Sequence, residues 1–102
     1  MDKNSSIWYN GNTINWDDAK THVMSHVLHY GSGVFEGIKC YETPSQRAIF
    51  RLEDHIKRLI QSGKLYGMDI PYSQSELIEA CIKIVSLSET GDSYIRPIAF
   101  YG

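Results

Sequence analysis

The stretch HYGSGVFEGIKCY, His29–Tyr41, decides how this chain is read. It joins a glycine-punctuated turn, Tyr30-Gly31-Ser32-Gly33, to an apolar run with strand character, Val34 to Glu42. Side chains of a strand point alternately to its two faces. Phe35, Gly37, Lys39 and Tyr41 therefore share one face, and Val34, Glu36, Ile38 and Cys40 share the other. The first face mixes aromatic rings, a cation and bare backbone. That mixture suits a ligand, because glycine within a strand often marks the close approach of another group. A bulged strand with a solvated lysine accounts for the same residues, and the residue types alone leave both readings open.

Working outward from this strand, Ile7-Trp8-Tyr9-Asn10 and Thr13-Ile14-Asn15-Trp16 read as a hairpin turning at Gly11-Asn12, since glycine and asparagine supply the backbone angles of a tight turn. Asp17-Asp18-Ala19-Lys20 is polar and turn-like. Beyond the central strand, Thr43-Pro44-Ser45-Gln46 is a loop and Arg47 to Phe50 pairs back. Glu53 to Met68 is a helix with acidic residues in its first turn, and its stripe Ile56, Leu59, Ile60 and Gly63 lies on the sheet. Gly67 and Pro71 close it. A capping box, Ser73 with Glu76, starts a second helix whose stripe is Leu77, Ile78, Cys81, Ile82 and Val85, ending near Gly91. Ser93 to Tyr101 is a last strand interrupted by Pro97, at an edge or a bulge. Strands, two adjacent helices and a closing strand, without βαβ alternation, predict an α+β fold. It is a single domain with two helices packed on one face of a mainly antiparallel sheet.

With 102 residues the chain suffices for one core and little more, and a formal charge of −2 without a basic run argues against nucleic-acid or anionic-membrane surfaces. Residues 1–6 lack the apolar core of a signal peptide, and no segment is long and apolar enough to cross a bilayer. Cys40 and Cys81 have no paired-motif spacing, so reduced thiols in the cytoplasm are expected, Cys81 as core packing.

Several patterns invite chemistry. Gly31, Gly33 and Gly37 miss the dinucleotide fingerprint, because the third glycine comes one residue late and the run leads into a strand. His22 and His26 have zinc-site spacing, but Val23 replaces the glutamate that a metalloprotease helix needs. A structural or solvent-exposed role is expected for these histidines, and His29, beside Tyr30 and the glycines, is the one singled out for function. Arg58 lies roughly 200° around its helix from Ile56, at about 100° per residue, opposite the buried stripe. It is a solvated arginine, or a two-pronged donor for phosphate or carboxylate if further protein packs there. Tyr94 and Arg96 share a strand face, as a carboxylate-binding pair or with Arg96 ion-paired to Glu36 or Glu42.

Taken together, IWYNG at 7–11, HVMSHVLHYGSGVFEGIKCYE at 22–42, FRLEDHIKRLIQSGKLY at 50–66 and YIRPIAFYG at 94–102 resemble consecutive blocks of the branched-chain amino acid aminotransferases, fold-type IV pyridoxal-phosphate enzymes. The resemblance covers all but the first few residues. It implies the N-terminal small domain, residues 1–102, of an enzyme moving an amino group between leucine, isoleucine or valine and 2-oxoglutarate, with pyridoxal 5'-phosphate as electron sink. It further implies that Arg58 holds the cofactor phosphate and that Phe35 and Tyr30 line the side-chain pocket, Tyr30 reaching the neighbouring subunit of a homo-oligomer. Tyr94, Arg96 and Lys39 then form the polar lining, with Arg96 favoured for the substrate carboxylate. Lys39 stands where some relatives have arginine, and an ammonium lacks the planar fork.

In that family the Schiff-base lysine belongs to a larger C-terminal domain, and none of Lys3, Lys20, Lys39, Lys57, Lys64 or Lys83 matches it. The expectation is a chain truncated before that domain and inactive by itself. A D-amino acid transaminase or aminodeoxychorismate lyase would share the architecture, but FEGIKCYE and YIRP favour the branched-chain group. A non-enzymatic interaction module on the same scaffold is the alternative from another class.

Overall fold

The computed structural model describes residues 6–44, 46–88 and 92–102. The loop residue Ser45, the helix-ending Gly91 and most of the N-terminal segment read above lie outside them. The elements run β1 (Ile7–Tyr9), β2 (Asn12–Ile14), a single 3-10 turn (Trp16–Asp18), α1 (His26–Tyr30), β3 (Gly33–Phe35), β4 (Ile38–Glu42), β5 (Arg47–Ile49), α2 (Leu52–Leu65), α3 (Gln74–Leu87), β6 (Ser93–Ile95) and β7 (Ile98–Phe100). All strand pairs are antiparallel: β1 with β2, β3 with β7, and β4 between β5 and β6. This is the α+β arrangement expected.

Local chemistry explains most boundaries. The hairpin turns at Asn10-Gly11, with φ 48° and 91°, one residue earlier than expected, because two consecutive positive φ angles match the twist of the strands it joins. Trp16 consequently leaves the strand for the 3-10 turn. Helix α2 ends three residues before Met68, in a Schellman motif. Gly67, at φ 71°, donates to Lys64 O at 3.0 Å and Met68 donates to Gly63 O at 2.8 Å. The capping box of α3 is present in full, with Glu76 N–H donating to Ser73 Oγ at 3.2 Å and Ser73 N–H to Glu76 Oε1 at 3.0 Å.

Two buried clusters lie between the β layer and the helices. Ile38, Ile56, Leu77 and Cys81 form one, and Val34, Leu59 and Met68 the other. The α2 stripe is as expected, with Ile56, Leu59 and Gly63 buried. The α3 stripe needs correction: Ile82 is 51 % exposed and Ala80 is buried in its place. The contact of α3 with α2 therefore centres nearer Leu77 and Cys81 than the sequence pattern indicates. Both thiols are free and buried, and burial pushes Cys81 up to about 11. Among the described residues no helix is long and apolar enough to cross a membrane.

Candidate functional site

The run Val34–Glu42 is not one strand, and neither is Ser93–Tyr101. Both break at the same level, Glu36-Gly37 opposite Arg96-Pro97. Phe35 pairs with Ile98 on one side of the break and Ile38 with Ile95 on the other, so the register is continuous and no residue is bulged. Proline has no N–H to donate, and one of the ladder bonds at this level is therefore missing. The reciprocal bond remains, from Glu36 N–H to Pro97 O at 3.1 Å. The interruption thus comes from Pro97 alone, on edge strands, and the bulge reading is ruled out. The alternation of faces survives it: Val34, Glu36, Ile38 and Cys40 are buried while Phe35, Lys39 and Tyr41 are exposed.

The exposed face gathers the residues at the break. Cross-strand neighbours on one face of an antiparallel pair touch directly or on the diagonal. The Arg96 guanidinium lies 4.6 Å from the Phe35 ring centroid and 5.3 Å from that of Tyr94, and its Nη2 donates to the Tyr94 hydroxyl at 3.3 Å. The Tyr94 hydroxyl lies over Gly37, where a Cβ would stand 1.7 Å from it. The Tyr94 side chain thus occupies the space a Cβ at 37 would fill, so the group approaching the bare backbone belongs to the protein itself. Lys39 pairs with Tyr94 in the ladder, which continues the polar edge of the face. Tyr30 stands apart. At 75 % exposure its ring meets His26 at 4.5 Å and His29 at 6.4 Å, on a short helix tied to the sheet by Val27 N–H donating to Tyr101 O at 2.9 Å. His29 is likewise engaged locally, its Nε2 donating to Val23 O at 2.9 Å.

The alternative reading, an ion pair of Arg96 with Glu36 or Glu42, does not hold in the structure. Glu36 points to the helix side, and Glu42 lies at the far end of β4, paired with Arg47 in the ladder. Instead Glu36, 7 % exposed, takes Arg58 in a two-point contact, with Nε donating to Oε2 at 2.8 Å and Nη2 to Oε1 at 2.7 Å. His55 Nδ1 is also 2.8 Å from Oε1 and must carry the proton it donates to that carboxylate. Arg58 is thus neither buried nor free. Its side chain is 64 % exposed, yet one edge of its guanidinium is anchored beneath the strand break. Sequence reasoning missed His55 and the role of Glu36. The available signal was a carboxylate in line with Val34, Ile38 and Cys40, since a charge on a core-facing position needs a partner.

The Arg58 hydrogen bonds hold the Glu36 carboxyl below its ordinary value of 4.5, against burial that pushes the other way and with help from His55. A depressed carboxylate contributes stability that is fully present above the unfolded value and lost as pH falls through the folded one. Unfolding free energy is therefore expected to fall more steeply on acidification below about pH 4.5 in the wild type than in Glu36→Gln. Urea midpoints across pH 2.5 to 6, a range of roughly that transition's width, check it. Parallel curves for the two proteins would remove Glu36 as a source of acid lability.

No protein-family model matches the chain. It is 48 % identical over 101 residues, 99 % of its length, to the branched-chain-amino-acid aminotransferase of Pseudomonas aeruginosa, of which it covers 33 %. Among solved structures, that of the Escherichia coli branched-chain amino acid aminotransferase superposes with a TM-score of 0.93 at 45 % identity, covering 98 % of this chain and 33 % of that one. The branched-chain aminotransferase of the thermophilic archaeon Thermoproteus uzoniensis, solved with norvaline, gives a TM-score of 0.90 at 40 % identity, with 94 % and 33 % covered. A further branched-chain amino acid aminotransferase structure, solved with pyridoxamine 5'-phosphate, gives a TM-score of 0.93 at 46 % identity, with 98 % and 33 % covered. The chain thus spans about one third of the length of the relatives it matches. By sequence and by fold together, the chain is similar to the N-terminal part of the branched-chain-amino-acid aminotransferases.

Proposed function

We propose that this chain is the small domain of a pyridoxal-phosphate-dependent aminotransferase that moves the amino group between leucine, isoleucine or valine and 2-oxoglutarate, and that it is inactive by itself. The observation carrying this reading is the near end-to-end match, at 48 % identity, to a branched-chain-amino-acid aminotransferase. The site geometry supports it. Arg96, braced between the Phe35 and Tyr94 rings, offers a charged fork on the exposed face and takes the substrate carboxylate. Phe35 and Tyr30 supply apolar walls for a branched side chain, while Tyr94 and Lys39 supply the polar lining.

Arg58 fits a phosphate group: Glu36 occupies one edge of the guanidinium, and the side chain remains largely exposed. When bound, pyridoxal phosphate supplies the electron sink that stabilises a carbanion at the substrate Cα. A lysine that forms a Schiff base is typically activated in a desolvated pocket. Lys20, Lys39, Lys57, Lys64 and Lys83 are all exposed, which fits a reactive lysine contributed from outside these residues. The large exposure of Tyr30, Phe35 and Tyr94 supports a homo-oligomer in which further protein covers them. The buried free thiols support a reducing, cytoplasmic setting.

The test is chemical. Incubated with pyridoxal phosphate and reduced with borohydride, the 102-residue chain is expected to show no stoichiometric label on any single lysine and no amino transfer from leucine to 2-oxoglutarate. One fully labelled lysine would overturn the assignment of the Schiff base to another part of the protein.

A further inference from the structure

We infer that Glu36 and His55 are positioning residues for Arg58, holding its guanidinium so that the edge left over faces outward as a preset receptor for a phosphate group. The inference rests on the reading of Arg58 given above and adds to it what fixes the arginine. Glu36 grips Nε and Nη2 at 2.8 and 2.7 Å, which sets both the plane and the rotation of the guanidinium. The carboxylate is itself fixed. Its backbone N–H donates to Pro97 O, Val34 and Ile38 flank it in the core, and His55 donates to the same Oε1 at 2.8 Å. What remains on Arg58 is the Nη1 pair and the second Nη2 hydrogen, Nη2 standing 3.5 Å from His55 Nδ1, an edge able to make two parallel bonds to phosphate oxygens.

Stability does not explain this arrangement. Position 36 lies in a buried row with Val34, Ile38 and Cys40, where an apolar side chain of similar volume would pack without desolvating a charge. The partner Arg58 is itself 64 % exposed, so solvent screens the pair on its outer side and its contribution is smaller than that of a fully buried pair. Ordering it in advance has a use only if something else binds it, because the ordering cost is then met before binding.

The direction of one substitution separates this role from plain electrostatics. Glu36→Gln removes a negative charge beside Arg58, and by charge alone an anion should then bind more tightly. Loss of positioning acts oppositely. In the full-length polypeptide that carries this chain, Glu36→Gln is expected to weaken pyridoxal phosphate binding roughly three- to tenfold, the range for releasing one rotamer-rich side chain. The affinity for pyridoxal, which lacks the phosphate, should stay unchanged. His55→Gln, which loosens one anchor and sits at a less buried position, should move the same ratio by a smaller factor and covers the case in which Glu36→Gln folds poorly. In an Arg58→Ala background neither change should have any further effect on the ratio.

Tighter binding of pyridoxal phosphate by Glu36→Gln, or equal weakening toward pyridoxal, would overturn the positioning role while leaving Arg58 as the phosphate residue. If Arg58→Ala itself leaves the ratio unchanged, the phosphate reading of Arg58 fails and this inference fails with it.

Discussion

Ile38→Ala is expected to destabilise the fold by about 2 to 5 kcal/mol, the range for truncating a fully buried aliphatic side chain that leaves a cavity. Ile38 has no exposed surface and packs against Ile56, Leu77 and Cys81, the cluster that joins β4 to both long helices. Domains of this size have total stabilities of about 5 to 15 kcal/mol, so the loss is a large share of the whole. Ile82→Ala serves as the comparison. The sequence pattern gives Ile82 the same standing in the core, but it is 51 % exposed, and truncating it should cost under about 1 kcal/mol. Urea unfolding at constant m value measures both. Equal losses for the two variants would mean that α3 buries a different face from the one described.

In the aminotransferase proposed above, Arg58→Ala is expected to weaken pyridoxal phosphate about ten- to a hundredfold, the scale for losing a charge-assisted hydrogen bond. The substitution also leaves the Glu36 carboxylate with His55 as its remaining side-chain partner, so a stability measurement must accompany the titration. Arg58→Lys separates the two effects. It keeps the charge, but an ammonium cannot grip Glu36 at two points and still present a second fork to phosphate. Cofactor affinity is expected to fall for Lys nearly as far as for Ala, while stability recovers in part. Cofactor binding indifferent to both substitutions would leave Arg58 with no role beyond its contact with Glu36.

Much of the exposed face is legible from local rules. The alternation Phe35, Gly37, Lys39, Tyr41 against Val34, Glu36, Ile38, Cys40 holds across a break in the strand, because a period of two is a property of extended backbone and does not depend on what lies opposite. The capping box at Ser73 and Glu76 and the stop at Gly67 are equally local, each a matter of a few adjacent donors and acceptors. Ile82 is the instructive error within this class. Helical periodicity marks an apolar stripe, but the neighbour decides which side of that stripe is covered.

The sequence by itself determined the first hairpin, the two long helices, the two faces of the central run and the placement of Phe35, Lys39, Tyr94 and Arg96 on strands, since these follow from interactions among residues a few positions apart. The short helix His26–Tyr30 and the split of Val34–Glu42 into two strands came only with the structure. Tertiary structure alone decided the partners. It set Arg58 and His55 on Glu36 across 22 and 19 positions, placed Arg96 between two rings away from any carboxylate at 36 or 42, and brought the Tyr94 hydroxyl over Gly37. The physical reason is that a side chain's reach is set locally, whereas which group it meets depends on the register of distant strands, and here that register carries through the break at Pro97.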